Sequence, residues 1–138
     1  MTTNEAQTLA QGFFSYYKTT STGLNTNNFG AAAVGDALLY FEFVPQTGVL
    51  RCSALIYRFK KEPHLELLQG FANEAQNGTD AGGGEVDYQT ENKGLFLTRV
   101  YGETLPLEQF IQQQQQLMLA SLRWGGEVLD RVTDAVFQ

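Results

Sequence analysis

Few residues in this chain could do chemistry, and they do not fall into a reactive pattern. His64 is the only histidine and follows Pro63 at the expected start of a helix. There it reads as an exposed, inert side chain and not as a general base. Serine hydrolysis would need that imidazole as its base, and no G-x-S-x-G stretch surrounds any serine. Cys52 is also alone, so no intrachain disulfide can form. With Arg51 as its one adjacent cation it reads as a small core residue of a strand, not an activated thiol. No His/Cys pair has zinc spacing. Glu85, Asp87 and Glu91 lack the density of a calcium loop and read as a solvated strand face. Gly82-Gly83-Gly84 is not followed by the Lys-Ser/Thr of a phosphate loop, and with Thr79-Asp80-Ala81 before it reads as the most flexible stretch of the chain. The expectation is a non-enzymatic protein with no cofactor and no metal.

Composition narrows the remaining classes. The chain has 138 residues, 43% of them apolar, enough for one domain over residues 1–138 with a single core. Its net charge is −6 and its nine Lys and Arg residues are spread out, which argues against nucleic acid as a partner. Arg58-Phe59-Lys60-Lys61, the densest basic stretch, reads as a solvated strand end. No apolar run approaches the roughly 20 residues that span a bilayer, and the first residues lack the pattern of a signal peptide. A soluble, cytoplasmic protein without membrane contact is expected.

The hydrophobic periods give the elements that would position any site. Ala6, Leu9, Ala10, Phe13, Phe14 and Tyr17 recur at helical spacing, predicting a helix from Glu5 to about Thr20 with Asn4 as its cap. Phe29–Val34 reads as a short strand, and Gly35-Asp36 as a two-residue hairpin turn. In the next strand Leu39, Phe41 and Phe43 share one face, with Leu38, Tyr40, Glu42 and Val44 on the other. A turn at Pro45–Gly48 leads to a third strand, Val49–Phe59. Pro63 suits the first turn of a helix ending near Asn77-Gly78. A second hairpin spans Glu85–Gly102.

From Pro106 onward one helical register holds Leu107, Phe110, Ile111, Gln114, Leu117, Met118, Ser121, Leu122, Gly125, Val128, Leu129, Val132 and Val136. Unbroken, that helix would be roughly 48 Å long, more than a small core can cover. Gly125-Gly126 is the point where it would kink or divide. The run Gln112–Gln116 reads as an exposed helix face. Ser121 and Gly125, four apart on the apolar stripe, suit a close crossing that is either internal packing or a dimer contact.

The resulting order, α-β-β-β-α-β-β-α, predicts an α+β fold with an antiparallel sheet of about five strands packed with helices. Carried by Ala37–Val44, Val49–Phe59, Pro63–Asn77, Glu85–Gly102 and the helix from Pro106, that layout resembles the type III secretion chaperone-like fold. This superfamily includes the class I secretion chaperones and the YbjN-like proteins. The resemblance implies a homodimer that binds extended segments of another polypeptide along apolar patches of helix and sheet. Leu9, Phe13, Phe14 and Tyr17 would shape one patch, and Tyr40, Val44 and Tyr57 another. The expected function is a chaperone-like adaptor. The alternative is a small apolar-ligand-binding domain, with Phe41, Phe43, Phe59, Phe96 and Phe110 around a cavity between sheet and helices.

Overall fold

The computed structural model of the chain describes residues 1–137, with side chains as far as Val132. Its elements are α1 (Thr3–Tyr16), β1 (Phe29–Val34), β2 (Ala37–Val44), β3 (Val49–Arg58), α2 (Leu65–Gln76), β4 (Glu85–Gln89), β5 (Gly94–Tyr101) and α3 (Leu107–Phe137). The five strands form one antiparallel sheet in the order β1-β2-β3-β5-β4. The connection through α2 carries the chain past β3's neighbour position to the sheet edge, and the β4–β5 hairpin returns it to the centre. This is the expected fold class and element order.

Strict alternation along β2 decides which face is buried. Ala37, Leu39, Phe41 and Phe43 point inward, where Leu50, Cys52 and Ala54 of β3 lie opposite in register. α1 lays Ala6, Leu9, Ala10, Phe13 and Phe14 on this face. Phe41 sits at the centre of the layer: Phe14 stacks on it at 5.1 Å, and Phe13 and Phe110 meet it edge-on at 5.3 and 5.8 Å. Such offset and edge contacts favour aromatic pairs beyond the area they bury.

Several boundaries differ from expectation for identifiable reasons. The cap of α1 is Thr2, not Asn4. The Thr2 hydroxyl accepts the Glu5 N–H at 3.1 Å, and the Glu5 carboxylate accepts the Thr2 N–H at 2.8 Å, so two free donors are satisfied at once. That backbone N–H bond holds the Glu5 carboxyl below its usual range. The helix stops at Tyr16, short of Thr20, with Lys18 in the left-handed region at φ 53°. α2 begins at Leu65, so Pro63 precedes the helix and His64 is its N-cap, without a side-chain capping bond.

The glycine stretch at 82–84 is a docked segment, contrary to its expected mobility. A Cβ on Gly82 would lie 2.6 Å from the Gln116 carbonyl oxygen and from the Leu117 Cα. One on Gly83 would meet the Arg99 guanidinium, and one on Gly84 the Leu117 side chain. The segment runs directly over α3, and only residues without a side chain can approach so closely. Asp80 fastens it. Its carboxylate accepts the Gly82 N–H at 2.8 Å and the Arg123 guanidinium at 2.6 Å, and its carbonyl accepts the Trp124 indole N–H at 2.8 Å. The Gly82 bond and then Arg123 hold the Asp80 carboxyl below its usual value.

Nor does Gly125-Gly126 divide the last helix, for α3 is continuous across both residues. A Cβ on Gly125 would lie 2.9 Å from the Ile56 carbonyl oxygen, so this glycine permits a close crossing of α3 over β3. The place of Val136 in the apolar register lies outside the described side chains. Within the glutamine run, Gln112 and Gln116 are exposed, as expected, but Gln114 is fully buried. Its side-chain amide donates to the Tyr101 hydroxyl at 3.1 Å, beside buried Cys52.

Burial pushes the Tyr101 phenol up to about 12 and the Cys52 thiol well above its usual value. In the unfolded chain these groups lose their protons near pH 10 and pH 8.5, while the folded chain keeps them protonated. Unfolded molecules therefore bind fewer protons in alkali, and the stability present below the unfolded pKa values is lost as pH rises towards about 12. The urea midpoint is expected to fall from about pH 9 upward, and the decline should be shallower in Cys52→Ala.

Candidate protein-binding surfaces

α1 and α3 cover one face of the sheet, while α2 lies beside β4 and packs Phe71 against Trp124 of α3. The opposite face keeps the outward residues of each strand. Phe29, Tyr40 and Phe96 form an aromatic row across it, with ring centres 6.2 and 5.7 Å apart. The Ser53 and Thr98 hydroxyls share a buried hydrogen bond of 2.8 Å beside that row. Arg51 pairs with Asp87 at 3.4 Å. The three aromatic residues, Ser53 and Arg51, together with Glu42, Arg58, Gln89 and Asn92, line a trough of about 180 Å³.

A second surface runs between α3 and the sheet. Leu38, Leu55, Tyr57, Leu122, Gly126 and Leu129 line an apolar groove of about 310 Å³, with Ser121 and Gly125 also along it. Leu38, Leu122 and Leu129 are 39, 43 and 51% exposed, an unusual state for leucines that stand together. Helix geometry accounts for the groove. Leu122 and Leu129 are one heptad apart, so they share a side of α3, and Gly126 between them carries no side chain to fill the space.

The residues expected to bind protein are not all on these surfaces. Leu9, Phe13 and Phe14 are at most 2% exposed. The heavy stripe of α1 is spent on the core and offers no patch in this chain. Tyr17 is half-buried, packed on Phe13 at 5.0 Å, and the aromatic displayed at this end of α1 is its neighbour Tyr16. Tyr40 is half-buried in the trough, and Tyr57 lines the groove. Val44 is half-buried at the end of β2, beside a shallow depression shared with Phe29 and Pro45. Ser121 is buried, its hydroxyl donating to the Met118 carbonyl at 2.7 Å, and Gly125 faces Ile56. Gly125 serves the internal crossing of α3 over β3, and the Ser121 hydroxyl is satisfied within α3.

The phenylalanines expected around a ligand cavity are not brought together. Phe41 and Phe110 pack on each other, Phe59 meets Tyr57 and Tyr88, and Phe96 belongs to the opposite face of the sheet. Sequence reasoning had missed Leu38, Leu122 and Leu129 as surface. The signal for the last two was the length of the final helix, whose apolar stripe outruns the core it can cover.

No protein-family model matches the chain, and no curated protein matches it in sequence. Solved structures do match in shape. The crystal structure of the ExsC–ExsE complex contains a chain similar over 91% of this chain and 95% of its own, with a TM-score of 0.70 and 14% identity. The HopA1–SchA chaperone–effector complex contains one similar over 90% of this chain and 95% of its own, with a TM-score of 0.67 and 14% identity. The architecture is thus the type III secretion chaperone-like fold, as the element order implied.

Proposed function

We propose that this chain is a non-enzymatic, chaperone-like adaptor that holds a segment of another polypeptide and works as a homodimer in the cytoplasm. The observation that carries this reading is the apolar groove flanked by Leu38, Leu122 and Leu129, which leaves three leucines in water. Lodging apolar side chains of a partner there removes that surface from solvent, and such recognition requires no reactive group. Likeness of fold to a chaperone–effector complex supports the same reading. So does the lack, among the described residues, of a helix long and apolar enough to cross a membrane.

Leu122→Glu tests this reading, since the side chain is 43% exposed and lies outside the buried core. The wild-type chain is expected to run at the mass of two chains by light scattering and to retain a defined polypeptide from native lysate. The variant should retain roughly a tenth as much or less, because a buried, unpaired carboxylate in an apolar groove costs several kcal/mol. A wild-type monomer that retains no polypeptide would refute the proposal.

A further inference from the structure

Asn77-Gly78 closes α2, and nowhere else in the chain is an asparagine followed by glycine. Asn77 is the C-cap of the helix, and both residues are exposed. Asn25 and Asn92 are fixed by hydrogen bonds of their side chains, whereas no such bond holds Asn77 among the described residues. The Gly78 N–H reaches the Ala75 carbonyl only at 3.4 Å, longer than is usual for a hydrogen bond. Gly78 has φ 95°, and a Cβ on it would meet nothing within 4 Å, so the backbone beyond the cap turns in open space.

An unheld side-chain amide next to an unshielded backbone nitrogen sets up a reaction within the chain. The Asn77 Cγ and the Gly78 nitrogen can close a strain-free small ring, so no bimolecular encounter is needed. We propose that Asn77 is a self-modifying site, where the asparagine converts to aspartate or isoaspartate without an enzyme. Hydroxide takes the Gly78 amide proton, and the nitrogen bonds to the Asn77 Cγ. The bond from Cγ to the side-chain nitrogen breaks, and that nitrogen leaves as ammonia after taking a proton from water, which restores the hydroxide. Water then opens the cyclic imide. Attack at the side-chain carbonyl gives aspartate, and attack at the backbone carbonyl leaves the chain running through Cγ as isoaspartate. In sum an amide and a water become a carboxylic acid and ammonia, with no oxidant or reductant.

The helix end controls the reaction and is changed by it. Asn77 sits at ψ 12°, so the Gly78 nitrogen must swing towards Cγ and give up Ala75, which requires the last turn of α2 to fray. The product puts a carboxylate at the negative end of the α2 dipole. No basic residue stands in that turn to offset it, and Glu74 is already acidic. Fraying therefore promotes conversion, and conversion promotes fraying.

The test incubates the full wild-type chain in mildly alkaline buffer beside the unstructured peptide Ala-Gln-Asn-Gly-Thr-Asp, and follows both by mass spectrometry. Conversion at Asn77 is expected within about tenfold of the peptide's rate, because terminal turns open at little cost, while Asn73 and Asn92 stay intact. An isoaspartate-specific methyltransferase should label the incubated chain but not Asn77→Gln. Asn77→Asp carries the product charge from the start. Its amide protons at positions 77 and 79, bonded in the wild type to the Asn73 and Glu74 carbonyls, should exchange roughly two- to fivefold faster. A folded chain that keeps Asn77 while the peptide converts, or labelling that persists in Asn77→Gln, overturns the site. Unchanged exchange in Asn77→Asp overturns its effect on α2. None of these outcomes depends on the adaptor reading.

Discussion

Replacing Gly82 by alanine should lower the stability of this protein by about 2–5 kcal/mol, from adding one methyl group to an apparently dispensable loop. Two costs combine. The residue has φ 63°, where a side chain is strained, and its Cβ would lie 2.6 Å from backbone atoms of α3. The obstacle is a helix backbone, so a rotamer change cannot relieve it. Either the segment lifts, breaking the Asp80 bonds to Arg123 and Trp124, or α3 shifts over the sheet. Urea unfolding should show a lower midpoint with an unchanged slope. The same substitution at Gly126, where a Cβ meets nothing within 4 Å, should be neutral or slightly stabilising. A mobile linker would tolerate both changes alike.

Phe41→Ala is expected to cost about 3–5 kcal/mol, a large share of the 5–15 kcal/mol that holds a typical domain folded. Phe41 is fully buried and joins α1, α3 and the sheet through its contacts with Phe13, Phe14 and Phe110. Its removal leaves a cavity that rings fixed on three different elements cannot collapse to fill. Phe41→Leu, which keeps most of the volume, should lose roughly 1–2 kcal/mol. Thermal unfolding of the pair followed by near-ultraviolet dichroism separates packing loss from global unfolding. Comparable losses in both variants would contradict a central role for the ring cluster.

The sheet was legible because β2 is an apolar, aromatic-rich run whose Leu39, Phe41 and Phe43 share one face, although Leu38, Tyr40 and Val44 make the other face apolar too. Likewise α3 announces itself through a stripe that holds register across 25 residues or more. What sequence could not reveal is which neighbour covers a stripe. Periodicity marks Leu9, Phe13 and Phe14 and Leu122 and Leu129 in the same way, yet α1 meets Phe41 while part of α3 meets water. Gly82–Gly84 misled for a related reason. Glycine is chosen both where a chain moves and where it must pass very close to another, and only the presence of α3 distinguishes the two. Ser121 and Gly125 left two readings open, and of the two it is Gly125 that lies against Ile56 within the chain.

The path of the chain from β3 to the sheet edge and back has a consequence for how the molecule opens. The excursion through α2 and β4 contributes just one fully buried large side chain from its helix, Phe71, whereas β5 returns to close the central ladder with β3. Detaching α2 and β4 would leave β1, β2, β3 and β5 paired and α1 and α3 in place. The protein is therefore built as a four-stranded body with an added flap, held to α3 by Phe71 on Trp124 and by the Asp80 bonds, so that opening this side of the sheet must break those contacts while the rest stays assembled.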